Sequence, residues 1–269
     1  IITNDLNVDG GVKIGNYHII HTKADLPTPV SGVITLEAFN TYFINTDIDL
    51  LGDRLVGLER TVILGPSSEN SSITSTGLGA STALFTTVWA TPIRYITFKD
   101  VGTALDIDGS GSADTNDAYD WNGVNFKDIT TIGTIKNIDN FIFLHGAFLQ
   151  SQGMKFDGTN GTIAFSSCIF VVDGTTADDL IEIMATATVT RRFRIVYSSI
   201  IVFDSSFGIN VHDSATIPSE GYILDTINFS GGGTYTRGVT DVSNKTLFIK
   251  CVGIVNTSVN GQMWMRANA

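Results

Sequence analysis

One stretch, Ile96-Thr97-Phe98-Lys99-Asp100-Val101-Gly102-Thr103, limits what this chain can fold into, because it comes back. At 124–131 the sequence reads Val124-Asn125-Phe126-Lys127-Asp128-Ile129-Thr130-Thr131, with Phe, Lys, Asp and the last Thr in place. Ile163-Ala164-Phe165-Ser166-Ser167-Cys168-Ile169-Phe170 and Ile195-Val196-Tyr197-Ser198-Ser199-Ile200-Ile201-Val202 keep the outline of apolar pair, polar pair and renewed apolar residue. Side chains two apart share one face of a strand, and a polar pair turns a corner. Each copy therefore reads as a short strand, a corner and the start of another strand. The starts at 96, 124, 163 and 195 are spaced 28, 39 and 32 residues. Units recurring at such a period, none able to bury its own face alone, stack into a solenoid.

The composition agrees. Hydrophobic residues make up 43% and charged residues only 16%, with 27 Gly and 5 Pro. Such a chain has many tight corners, few prolines to block a ladder, and little of the Glu, Lys and Arg that favour helices. The net charge of −11, with no basic stripe, excludes nucleic acid as a partner. No run of about 18 apolar residues exists, so no membrane span is expected. The start, Ile1-Ile2-Thr3-Asn4, has neither a Met nor a signal-peptide pattern and reads as a segment of something longer. Two cysteines make no disulfide framework; Cys168 sits on an apolar repeat position, Cys251 between Ile249 and Val252, and both read as small buried hydrophobes.

Residues 1–31 are polar, broken by Gly10-Gly11 and Pro27-Thr28-Pro29, and read as an irregular connector with one short strand at Tyr17-His18-Ile19-Ile20. From Gly32 onward strand-sized blocks follow one another too closely for crossover helices. They fit an antiparallel sandwich or a parallel coil. Hairpin signals of the Asn-Gly or Asp-Gly type are nearly missing, and recurring Phe and Ile positions would stack along a solenoid axis, so the coil is preferred. The expectation is an all-β chain: a right-handed parallel β-helix over 32–256, with Phe98 and Phe126 in one interior column. Residues 257–269 read as a C-terminal extension or the start of a further domain. Residues 177–185 could form a short helix, although the β-branched tail that follows favours strand.

The blocks Gly32-Val33-Ile34-Thr35-Leu36, Asn40-Thr41-Tyr42-Phe43-Ile44, Ile48-Asp49-Leu50 and Arg54-Leu55-Val56 resemble the opening coils of parallel β-helix tail proteins of tailed bacteriophages. Ile63-Leu64-Gly65-Pro66-Ser67-Ser68, Pro92-Ile93-Arg94-Tyr95-Ile96-Thr97-Phe98 and Gly133-Thr134-Ile135-Lys136-Asn137 continue the likeness, which covers about residues 25–255. It is a likeness of texture and phrases and carries no catalytic signature. It implies a virion structural protein of tail-fibre or tailspike type. Such a protein would be a homotrimeric shaft joined to other tail proteins, located in the phage tail and involved in host attachment, with host surface polysaccharide as a ligand. The alternative it implies is a depolymerase, a hydrolase or lyase cutting surface glycans.

Three groups of residues could carry chemistry. The loop Asp106-Ile107-Asp108-Gly109-Ser110-Gly111-Ser112-Ala113-Asp114-Thr115-Asn116-Asp117 offers oxygens from Asp106, Asp108, Ser110, Asp114 and Asp117 in the spacing of a calcium loop. It has Asp rather than Glu in the twelfth place and strands for flanks, so a solvated corner is the plainer reading. Trp89, Tyr119 and Trp121 could stack on sugar rings, or could be core. Carboxylates for glycan cleavage could come from Asp157, Asp173, Asp178, Asp179, Glu182, Asp204 and Asp225, whose proximity depends on the register between coils. The four histidines, His18, His21, His145 and His212, form no triad or metal motif, and no cofactor is required. Gly231-Gly232-Gly233 lacks the Lys and helix of a phosphate cradle.

Overall fold

The computed structural model describes residues 16–111, 118–173, 179–203, 207–212 and 214–217, and, as backbone alone, 222–230, 234–237 and 247–255. The chain is a parallel β-solenoid of about seven turns. Among the described residues there is no α-helix, only two 3-10 turns, Lys23–Asp25 and Gly109–Gly111. Every pairing between named strands is parallel, so each coil adds one rung to each of three walls.

The first wall climbs from Tyr17–Ile20 and Thr41–Ile44 through Ala118–Asn122 and Asn140–Leu144 to Thr188–Val196. The second runs from Ile48–Asp49 through Thr97–Lys99, Asn125–Lys127 and Ala147–Leu149 to Ser199–Phe203. The third contains Val33–Thr35, Arg54–Gly57, Ala83–Thr87, Thr103–Asp108, Thr131–Lys136, Met154–Asp157, Asp179–Ile183 and Phe207–Val211. Near the top, Tyr222–Ser230 pairs with both the first and the second wall. The ladder starts before Gly32: Tyr17 to Ile20 lie in register with Thr41 to Ile44, so the short strand of the connector is already a rung. Of residues 177–185, Asp179–Ile183 form a strand and not a helix, and 177–178 lie outside the described residues.

Phe98, Phe126, Phe148 and Phe170 occupy one interior column of the second wall. Their ring centroids are 5.8, 5.2 and 4.8 Å apart, and all four are fully buried. Ile48 and Ile73 continue the column below and Ile200 above. Stacking like on like gives each ring the offset contacts that aromatic pairs favour, and removes the apolar surface a single coil would expose.

The corners explain the repeat. Asp100, Asp128 and Gln150 turn from the second wall to the third with φ of 55°, 54° and 51°. Their N–H groups donate to the carbonyls of Lys127, Leu149 and Val171, one coil on. Tyr95, His145, Ser167 and Tyr197 turn the first wall into the second in the same left-handed conformation, donating to Asn122, Ser166 and Val196 where those bonds form. Non-glycine residues pay for positive φ, and the ladder bond at each corner offsets that cost. Both corners thus demand the same short pattern. The copies at 96 and 124 lie across the second corner, and the copy at 163 lies across the first. The copy at 195 is out of phase with it, since Phe165 pairs with Ile195 and not with Tyr197.

Candidate functional site on the third wall

Along the outer face of the third wall, register stacks Val56, Thr86, Asp106, Thr134, Lys155, Glu182 and Asn210 in one column. Alternation along each strand sends their neighbours inward: Leu105, Ile107, Ile135, Phe156 and Ile181 are all buried. Thr86, Asp106 and Thr134 of this column floor a shallow trough of about 540 Å³, with Arg54, Thr82, Thr103 and Thr131 along its sides.

Above the trough the charges close on one another. Lys155 Nζ is 3.9 Å from Glu182 Oε2, and His212 Nε2 is 2.7 Å from Glu182 Oε1. Asn210 Nδ2 donates to Asp179 Oδ2 at 2.9 Å, and Asp179 is buried. Both oxygens of Glu182 therefore face positive or donor groups. Asp157 accepts from the Thr186 hydroxyl and the Gly158 N–H, which hold its carboxyl below the usual range. The geometry brings Asp179 and Glu182 onto one strand, but each is engaged by neighbours, an arrangement suited to fixing a surface rather than to passing protons. The side chains of Asp173, Asp178, Asp204 and Asp225 lie outside the described residues.

The sugar-stacking residues fall differently. Trp121 and Tyr119 point into the core with 0% and 1% exposure, because both sit at inward positions of Ala118–Asn122. The Trp121 indole N–H donates to the Thr91 carbonyl at 2.9 Å, and its ring packs against Phe98, Phe126 and Phe141. Neither presents a ring face to a ligand. Trp89 is half-buried at the corner after Ala83–Thr87, where the Thr87 hydroxyl accepts its N–H.

The acidic loop is partly described. Asp108 Oδ1 accepts from Asn137 Nδ2 at 2.9 Å and from the Ser110 N–H at 3.1 Å, and its Oδ2 lies 3.2 Å from Lys136 Nζ. Burial pushes this carboxyl up, but those bonds outweigh it and hold it at about 2. Asp106 points outward on the trough, and Asp114 and Asp117 lie outside the described residues. Among the described residues no three His, Cys, Asp or Glu side chains converge as a metal site would require. Because Asp108 is depressed from 3.8, its contribution to stability is full above about pH 4 and is lost as pH falls toward 2. A melting series from pH 5 to pH 2 should therefore fall less steeply for Asp108→Asn than for the parent chain.

The His212–Glu182 pair matches no motif in the sequence; its signal is the separation of 30 residues, one long coil. Cys168 is buried as expected, and burial pushes its thiol up to about 11.

Fold and site together define a parallel β-solenoid with a polar trough on one outer wall. No family model, curated protein or solved structure matches the chain.

Proposed function

We propose that this chain is a virion structural protein, a tail-fibre or tailspike-type β-helix shaft that assembles as a homotrimer and takes part in host attachment. The observation that carries this reading is the distribution of apolar side chains on the outside of the walls. Tyr17 and Ile19 are about half exposed on the first wall, beside Phe43 and Leu64. On the second wall Ala147, Leu149, Ile169, Val171 and Ile201 face outward on three successive rungs, with Ile169 50% exposed. Apolar strips of this kind on a chain of net charge −11 suit side-by-side contact with like chains. The phrase-level likeness to phage tail β-helices points the same way.

Light scattering of the purified chain should give three times 28.9 kDa, and a monomer at micromolar concentration would contradict the assembly. Ile169→Asp should shift that mass downward. The alternative, a depolymerase, would have to draw on Asp157, Asp179 or Glu182, each already engaged by neighbouring side chains. Incubation with host polysaccharide and sizing of the products separates the two: intact polymer supports the shaft, and discrete oligosaccharides would establish the enzyme.

A further inference from the structure

The trough on the third wall has more unmet polar capacity than a packed surface needs. Arg54 is half-buried at its lower end and forms no ion pair among the described residues. Asp106 is exposed on the floor, likewise without a partner there. The hydroxyls of Thr82, Thr86 and Thr134 make no hydrogen bond to the described protein, whereas Thr103 already donates to the Ala80 carbonyl. Lys155 closes the upper end. From the strand of Arg54 to that of Lys155 the trough crosses four rung spacings, about 19 Å at the usual separation of strands.

We propose that this trough binds an acidic oligosaccharide, with a sugar carboxylate on Arg54 and ring hydroxyls on Asp106 and the threonines. The guanidinium presents a planar fork that matches a carboxylate, and its half-burial reduces competition from water. Asp106, between Arg54 at one end of the trough and Lys155 at the other, disfavours a uniformly anionic ligand such as an acidic peptide. It accepts from a pair of neighbouring hydroxyls, which a sugar ring supplies. Threonine hydroxyls both donate and accept, so they serve successive rings without a fixed pattern. Gly133 is part of the lining, where its backbone packs directly against the Leu105 carbonyl. The proposal rests on the attachment reading and names the glycan chemistry it would use.

Calorimetric titration of the full chain tests it with three acidic tetrasaccharides of different linkage: galacturonate, guluronate and hyaluronan. Maltotetraose and polyglutamate serve as neutral and non-sugar controls. At least one acidic sugar should bind about tenfold more tightly than either control, and salt should weaken it. Arg54→Gln and Asp106→Asn should each cost about tenfold, with unchanged circular dichroism and melting. Absence of binding by all three at about 1 mM overturns the proposal, as does equal binding by polyglutamate or by Arg54→Gln. The oligomeric mass is measured separately, so a trimer without sugar binding sinks this site and leaves the shaft standing.

Discussion

Phe126→Ala lowers the stability of the solenoid by about 3–5 kcal/mol, as measured by urea unfolding followed by far-ultraviolet circular dichroism. Phe126 touches four other rings, Phe98, Trp121, Phe143 and Phe148, at centroid distances between 5.2 and 6.3 Å. Truncation leaves a cavity whose walls are held by parallel ladders on three sides and cannot collapse. Each coil is stabilised by its neighbours, so the loss falls on the coupling between the coils below and above. The transition should consequently broaden or split. A single transition shifted by less than about 1 kcal/mol would contradict the interior column.

Gly133→Ala is expected to be as damaging, for a backbone reason. Gly133 has φ of 121°, and a methyl group there would lie well inside contact distance of the Leu105 carbonyl oxygen and carbon. Those are main-chain atoms of the adjacent rung, so no rotamer relieves the clash and the ladder between Thr103–Asp108 and Thr131–Lys136 must part. We expect a loss of about 3 kcal/mol or more. Gly77→Ala is the control: its φ is +88° but nothing lies within 4 Å of the added carbon. It should cost only about 1 kcal/mol, the price of the dihedral alone. Equal losses at the two positions would mean that the close approach at Gly133 is not there.

The parallel coil was legible because Phe98 and Phe126 each open the same Phe-Lys-Asp run, one coil apart. It faded where the coil length changed. Phe148 follows Phe126 after a short coil, marked by the 22-residue separation of Asn125 and its partner Ala147, while the bond from Cys168 to Ser198 spans 30 residues. In the short coil Gly146 also replaces the aliphatic residue found at Ile96 and Val124, because the Phe143 ring fills the space its side chain would need. A search at fixed period passes over that rung. The corner pattern misled in a second way: one left-handed residue serves two different corners, so similar phrases came from different walls.

The site was less legible, since inward and outward positions cannot be told apart without register. Tyr119 and Trp121 look like sugar platforms in the sequence, and the pleat of their strand sends both inside. Arg54, Asp106 and Lys155 lie on rungs far apart in sequence and come to line one trough only through four unequal coils. Lys99 similarly pairs with Asp47 at 2.9 Å, two coils back, rather than with Asp100 beside it.

The stacking itself is open to direct measurement. Lys99, Lys127 and Leu149 share one outward column on successive rungs of the second wall. Nitroxide labels at all three, on cysteines introduced in a Cys251→Ser chain, would lie about 4.8 Å apart along the backbone. Cys168 is buried and its thiol is held at about 11, so it should escape the reagent. A parallel in-register solenoid predicts that the electron paramagnetic resonance spectrum collapses toward a single exchange-narrowed line, while each single label gives three resolved lines. Three resolved lines from the triply labelled protein would contradict the solenoid.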